Sequence, residues 1–236
     1  MTERLTPCPN QRMGKLLTVC LAAFSGVVFY ILVGNWLEFS LLSDAVNGIA
    51  VHGNDLDDVQ QRSRLELPLL AFVGLFCGIV FLFFTGRTLQ VAGDCGANGM
   101  RYKYGWVVAS YFLPIVSWFV PYAAMQESWR ATNPAFGARD WYASKGSNLI
   151  RLWWGLWLAS LFTFSFCDSL LVPGMDLDLS EQYDQALVHV GLSFLYLALA
   201  LVSLLMVRAI VMRSLSKWEH IHGATGVPKA TIKEAS

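Results

Sequence analysis

Four stretches of this chain, residues 16–39, 67–86, 147–167 and 185–207, are almost free of charge. Each is close to the roughly 20 residues a helix needs to cross about 30 Å of hydrocarbon at about 1.5 Å per residue. Lipid offers the backbone no hydrogen-bond partners, so a segment of this length there has to be helical. The sequence therefore predicts an all-α integral membrane helical bundle with four transmembrane helices. Composition agrees: 14% of the 236 residues are charged and 55% hydrophobic, where soluble domains carry about a quarter charged. The membrane domain spans residues 16–207, after a short N-terminal tail at 1–15. The first run is about twice the core of a cleaved signal and ends without a small-x-small site, so it reads as a retained anchor.

A fifth apolar piece, within residues 104–132, decides the topology. Its centre reads WVVASYFLPIVSWFVPYAAM, with Arg101 and Lys103 before it and Arg130, Arg139 and Lys145 after it. Lys and Arg favour the cytoplasmic side of short loops, and both flanks ask for that side. The connections at 38–66 and 168–184 are instead rich in Asp and Glu. Every loop fits if four helices cross, both termini are cytoplasmic, and this segment is proline-broken and either re-entrant or interfacial.

Inside the segment a small repeat appears: Ser110-Tyr111-Phe112-Leu113-Pro114, then Ser117-Trp118-Phe119-Val120-Pro121. On a continuous helix the seven-residue period puts both prolines on nearly one face. Each proline also frees the carbonyl four residues earlier, here that of Ser110 and Ser117. A polar pocket at this break is the functional expectation; a kinked helix satisfied by its neighbours is the plainer one and carries more weight. Glu127 and Arg130, three apart, are positioned to pair on a helix surface, as a speculative ligand or partner site or, more simply, as an interfacial salt bridge. Asn133-Pro134 should end that helix.

Small residues four apart, Ala22 with Gly26 and Gly74 with Gly78, suit close helix approach. Intramolecular pairing of the first two helices is preferred over self-association of copies through Gly74 and Gly78. Arg151, Trp153, Trp154 and Trp157 read as interface anchors at headgroup level. Trp218 joins them on a basic amphipathic extension, residues 208–222, which opens the tail at 208–236. His189 below an acidic loop invites a pH-sensing or cation role, but a solvated loop is the safer reading. The five cysteines have neither metal-ligand nor redox spacing, and neither a metal nor a cofactor is expected.

The blocks Gly105-Trp106-Val107-Val108, Tyr111-Phe112-Leu113-Pro114-Ile115, Trp118-Phe119-Val120-Pro121-Tyr122 and Glu127-Ser128-Trp129-Arg130-Ala131-Thr132-Asn133-Pro134 resemble the signature of the bacterial domain of unknown function 4328 family. Trp153-Trp154-x-x-Trp157-Leu158 fits the same pattern. The resemblance implies a small multi-span membrane protein and assigns it no activity. Some relatives look as if they carry an N-terminal zinc-binding or adaptor module; here only Cys8 precedes the first helix, so no such metal site carries over.

No nucleophile elbow, phosphate loop or His-Glu-x-x-His sequence is present, and the expectation is a non-enzyme. The first function expected is a scaffold or protein-interaction module. Its partners are the lipid bilayer and a membrane or cytoplasmic protein, and nucleic acid is not among them. The alternative is a small transporter, channel or binder of lipid or other hydrophobic ligands, with the Pro114 and Pro121 break as its polar site.

Overall fold

The computed structural model describes residues 8–51, 53–170 and 178–224. The acidic connection at 171–177 and the tail beyond Ala224 lie outside them. Six α-helices follow one another: α1 (Pro9–Val46), α2 (Gly53–Asp94), α3 (Tyr104–Ser110), α4 (Val120–Ala131), α5 (Asn148–Leu170) and α6 (Leu179–Ala224). Short 3-10 turns at Ile115–Trp118 and Trp141–Ala143 complete the set. The all-helical expectation holds among the described residues.

The long helices extend well past their apolar runs. At 38, 42 and 46 residues, α1, α2 and α6 are roughly 57, 63 and 69 Å long at about 1.5 Å per residue. Residues 38–66, expected to be an acidic loop, are mostly helix. Charge alone does not stop a helix, because its backbone bonds stay internal while its charged side chains reach solvent. The stop comes at Gly48 (φ +75°): its N–H donates to Ala45 O at 3.1 Å and the Ile49 N–H donates to Asp44 O at 2.9 Å. This is a Schellman close, which requires a left-handed residue best supplied by glycine. Gly96 (φ +81°) ends α2 the same way, with Gly96 N–H on Gly93 O at 2.8 Å and Ala97 N–H on Ala92 O at 3.2 Å.

Three helical stretches among the described residues, Asn10–Val46, Pro68–Asp94 and Leu179–Ile221, are long and apolar enough to cross a membrane. Four were expected. The fourth candidate lies in α5, whose side chains are described only as far as Thr163, short of a full crossing length.

The chain divides into two compact units. Unit 2 comprises Thr18–Ile79 and Arg151–Leu205. Within it α1 and α2 run antiparallel. Phe24 lies against Gly74, where an added Cβ would come within 3.4 Å of the ring. Ten residues further along α1, the Gly34 carbonyl accepts a 2.7 Å bond from Arg62 Nη2, and Arg62 pairs with Glu66 at 3.4 Å. Burial pushes the Glu66 carboxyl above its ordinary range, against the pull of Arg62. Helix α6 is antiparallel to α1 here too: Asn35 Nδ2 donates to Ser193 Oγ at 2.9 Å, and Phe39 meets Tyr183 at 5.1 Å. Along α2, Leu69, Phe72, Leu75, Phe76 and Ile79 remain exposed, Phe72 at 74%. Their three- and four-residue spacing makes an apolar stripe on one helix face.

Unit 1 comprises Met1–Leu17, Val80–Ile150 and Met206–Ser236. Its α1 and α6 segments touch at Gly14 and Val211, so closely that a Cβ on Gly14 would overlap the valine. Beside them Asn10 Nδ2 donates to Ser214 Oγ at 3.4 Å. Three small cores hold the unit: Cys8, Val91 and Cys95 under Trp218; Leu89, Val107 and Ala124 under Tyr111; and Ala92, Ala131 and Trp141 under Phe136. Of the described Lys and Arg residues, all but Arg62, Arg64 and Arg151 belong to unit 1.

Candidate functional site: a basic cleft beside the proline segment

The prolines do not kink one helix; they separate two. Helix α3 ends at Ser110, four residues before Pro114, where the proline ring would strike the carbonyl of a continuing helix. Pro114 sits exposed ahead of the 3-10 turn, and Pro121 is buried in the first turn of α4, where a missing N–H goes unmissed. With no helix joining them, the seven-residue period does not set both prolines on one face. The Ser110 carbonyl accepts from the Leu113 N–H at 3.4 Å. The Ser110 hydroxyl is buried on Val107 O at 2.7 Å, while the half-exposed Ser117 hydroxyl reaches Pro114 O at 3.4 Å. None of these four residues lines a described cleft.

The polar geometry lies one turn further on. Glu127 does not pair with Arg130. Its Oε1 accepts the Arg101 backbone N–H at 2.7 Å and its Oε2 that of Tyr102 at 3.1 Å. Two fixed amides outcompete one mobile guanidinium, because bonds from backbone N–H to a carboxylate are charge-assisted and need little ordering. Gln126 clamps the other connection. Its Nε2 donates to Ser147 O and its Oε1 accepts the Ser147 N–H, both at 2.9 Å, a reciprocal pair that fixes which way the amide faces. Gly146 makes room for this pair, since a Cβ there would lie 2.7 Å from Gln126 Oε1. Gly146→Ala is accordingly expected to lower stability by about 1–3 kcal/mol, the usual cost of overpacking. Thermal melting in detergent beside Gly137→Ala, whose Cβ would meet only Asp140 at 4.0 Å, measures it; equal melting of the two would refute this account of Gly146.

The loops on either side of the proline segment are bonded to each other. The Asn98 N–H donates to Ala138 O at 3.0 Å, and Trp141 Nε1 donates to Asn98 O at 2.9 Å. Behind them α6 braces the end of α4. Arg213 lies 4.2 Å over the Trp129 ring and donates Nε to Trp129 O at 2.9 Å, placing a cation on the carbonyl end of that helix. Its Nη2 reaches Ser144 Oγ at 3.4 Å, and Lys217 donates to Phe136 O. The expected amphipathic extension thus turns its Arg213 and Lys217 onto this connection.

Between the two loops and α4 opens a cleft of about 730 Å³. Arg101, Arg130 and Arg139 line it together with Glu127 and the rings of Tyr102 and Tyr142. The Nε of Arg130 is buried and has no hydrogen-bond partner. Arg101 and Arg139 entered the sequence reading only as topology charges. Their convergence depends on the Gly96 close and the Asn98–Trp141 contact, which no spacing in the chain announces.

The other expected sites scatter. Ala22, Gly26 and Gly78 are exposed, and nothing lies within 4 Å of a Cβ on Gly26 or Gly78; of the four, Gly74 makes the helix contact. Trp153 and Trp154 are buried rather than turned to a headgroup layer, and Trp154 stacks on Trp157 at 4.6 Å. Arg151 is exposed, and Trp218 packs on the Cys8 core. Among the described residues no group of His, Cys, Asp or Glu is arranged to hold a metal.

No curated protein and no solved structure matches the chain. The sequence profile of the family described as Domain of unknown function (DUF4328) matches residues 47–211, from the turn before α2 into the last part of α6. Covering most of the chain and the whole cleft, that match establishes that this chain belongs to the DUF4328 family.

Proposed function

We propose that the chain is a non-catalytic, multi-span protein of a bacterial inner membrane, in which α1, α2, α5 and α6 cross and unit 1 serves as a cytoplasmic binding module. The observation that carries this reading is the bonding of the Asn98 loop to Ala138 and Trp141. A chain that leaves and rejoins the same short stretch fits a segment that does not traverse about 30 Å of hydrocarbon in between. Helices α3 and α4, at 7 and 12 residues, are also too short to do so. The exposed stripe from Leu69 to Ile79 favours a lipid setting. The concentration of Arg and Lys in unit 1 favours the cytoplasmic side for it. A transporter or channel working through the Pro114 and Pro121 break has less support, since neither Ser110 nor Ser117 lines a described cleft.

Sidedness tests the proposal. Lys103→Cys and Lys145→Cys, both at exposed positions, should resist an impermeant maleimide in intact cells and react once the membrane is opened. The four cysteines with described side chains are buried, and carrying Cys167→Ser in both variants keeps the background low. Reaction of one position but not the other in intact cells would mean that the proline segment crosses. Reaction of both would put unit 1 outside and refute the cytoplasmic assignment.

A further inference from the structure

We propose that the cleft between Arg101, Arg130 and Arg139 binds a phosphate group. The proposal deepens the reading of unit 1 as a binding module and rests on it. Three guanidinium groups reach this space from three parts of the chain: the connection before α3, the last turn of α4, and the connection before α5. Only one carboxylate lines it, and the backbone N–H groups of Arg101 and Tyr102 already occupy both of its oxygens. Among the described residues the one ion pair is Arg62 with Glu66, in the other unit. The cleft arginines are therefore not committed to internal partners.

Arg130 makes the strongest case. A buried guanidinium nitrogen without an acceptor is costly to keep, and its Nη2 group lies close to Gly146, where a Cβ would approach within 3.4 Å. The planar fork of arginine suits phosphate oxygens, two per guanidinium. A planar carboxylate presents its two oxygens along one edge, whereas a tetrahedral phosphate, monoester or diester, can be approached by forks from several sides. The volume falls within the range of sites for small molecules, roughly 300–1,000 Å³, and the rings of Tyr102 and Tyr142 give the rest of such a ligand flat apolar walls. The phosphate can belong to an anionic lipid headgroup or to a soluble ester.

The test uses the full chain in neutral detergent, titrated separately with inorganic pyrophosphate and with micelles doped with phosphatidylglycerol or phosphatidylcholine. Binding is read from tryptophan fluorescence, since Trp141 lines the cleft, and from the melting temperature. Saturable binding of pyrophosphate or phosphatidylglycerol, but not phosphatidylcholine, is expected. Binding of phosphatidylglycerol alone identifies a headgroup site; pyrophosphate alone identifies a soluble ester; competition between them identifies shared phosphate recognition. Arg139→Gln, an exposed position whose change should leave the fold intact, is expected to weaken binding at least tenfold, and Arg130→Gln more. Lys145→Gln removes an equal charge outside the cleft and should change affinity by less than twofold. Equal loss in Lys145→Gln and Arg139→Gln, or no saturable binding of any probe, would overturn the proposal. Sidedness of Lys103→Cys and Lys145→Cys is scored separately. No binding with both positions cytoplasmic defeats the phosphate site alone; binding with the wrong sidedness defeats the membrane reading alone.

Discussion

Trp141→Ala is expected to destabilise the protein by about 3–5 kcal/mol, the range for emptying a large aromatic site in a core. Trp141 is 7% exposed and closes the core of Ala92 and Ala131, with Met100 and Phe136 packed around it. Its indole nitrogen also supplies one of the bonds that join the two loops. Trp141→Phe keeps most of the buried surface and loses that bond, so it should cost about 1 kcal/mol for the bond plus a small cavity term. Denaturant or thermal unfolding in one detergent, with all three proteins side by side, gives the comparison. If alanine and phenylalanine were equally destabilising, the hydrogen bond and not the packing would hold the loops. If alanine cost less than about 1 kcal/mol, this core would not be what fixes the connection.

The second large effect is expected at Glu127. Replacing it with alanine leaves the N–H groups of Arg101 and Tyr102 without their acceptor. Bonds to a charged group contribute roughly 1.5–3 kcal/mol each, but Arg101 is exposed and water takes up part of the loss. A net cost of about 2–3 kcal/mol is the expected result on that discount. Glu127→Gln, with one acceptor oxygen and no charge, should fall between wild type and alanine. Hydrogen exchange offers a local reading: protection at the amides of Arg101 and Tyr102 should drop in both variants, while the Asn98 amide, bonded to Ala138, keeps its own. Unchanged protection at Arg101 would show that the carboxylate is not what holds this loop.

Much of the fold was legible from composition and periodicity, because a helix in lipid must be long and uncharged. The runs that announced α1, α2 and α6 located these helices but not their ends. Glu38, Asp44 and the acids after Asp55 read as a loop because charge density was taken to end the helix. Asn47-Gly48 and Cys95-Gly96 were the better signals, since the left-handed glycine supplies the stop. The proline segment was expected as one proline-broken helical piece, and it is two helices with a 3-10 turn between them. Leu113 precedes Pro114 and is steered away from helical backbone, while Pro121 suits the first turn of a new helix, so a break in two pieces was the more economical reading. The candidate site was half visible. Glu127 and Arg130 were chosen for a spacing that would pair them, yet Glu127 holds two backbone amides and Arg130 lines the cleft without an internal partner. Gln126 and Gly146 were not seen, because a side chain that mimics a neighbouring backbone leaves no periodic trace. Arg101 and Arg139 are 38 positions apart in the chain, and only the fold brings them together.

Asn35 and Ser193 carry a consequence for motion in unit 2. Their bond joins α1 to α6, both side chains are buried, and Asn35 Nδ2 also reaches His189 O at 3.4 Å, one turn back along α6. Sliding α1 along α6 by one helical turn, about 5.4 Å, would part the buried amide from the Ser193 hydroxyl, and a buried donor left unpaired is costly. The pair therefore works as a bolt against axial slippage, and the freedom it leaves these two helices is to tilt or pivot about that point.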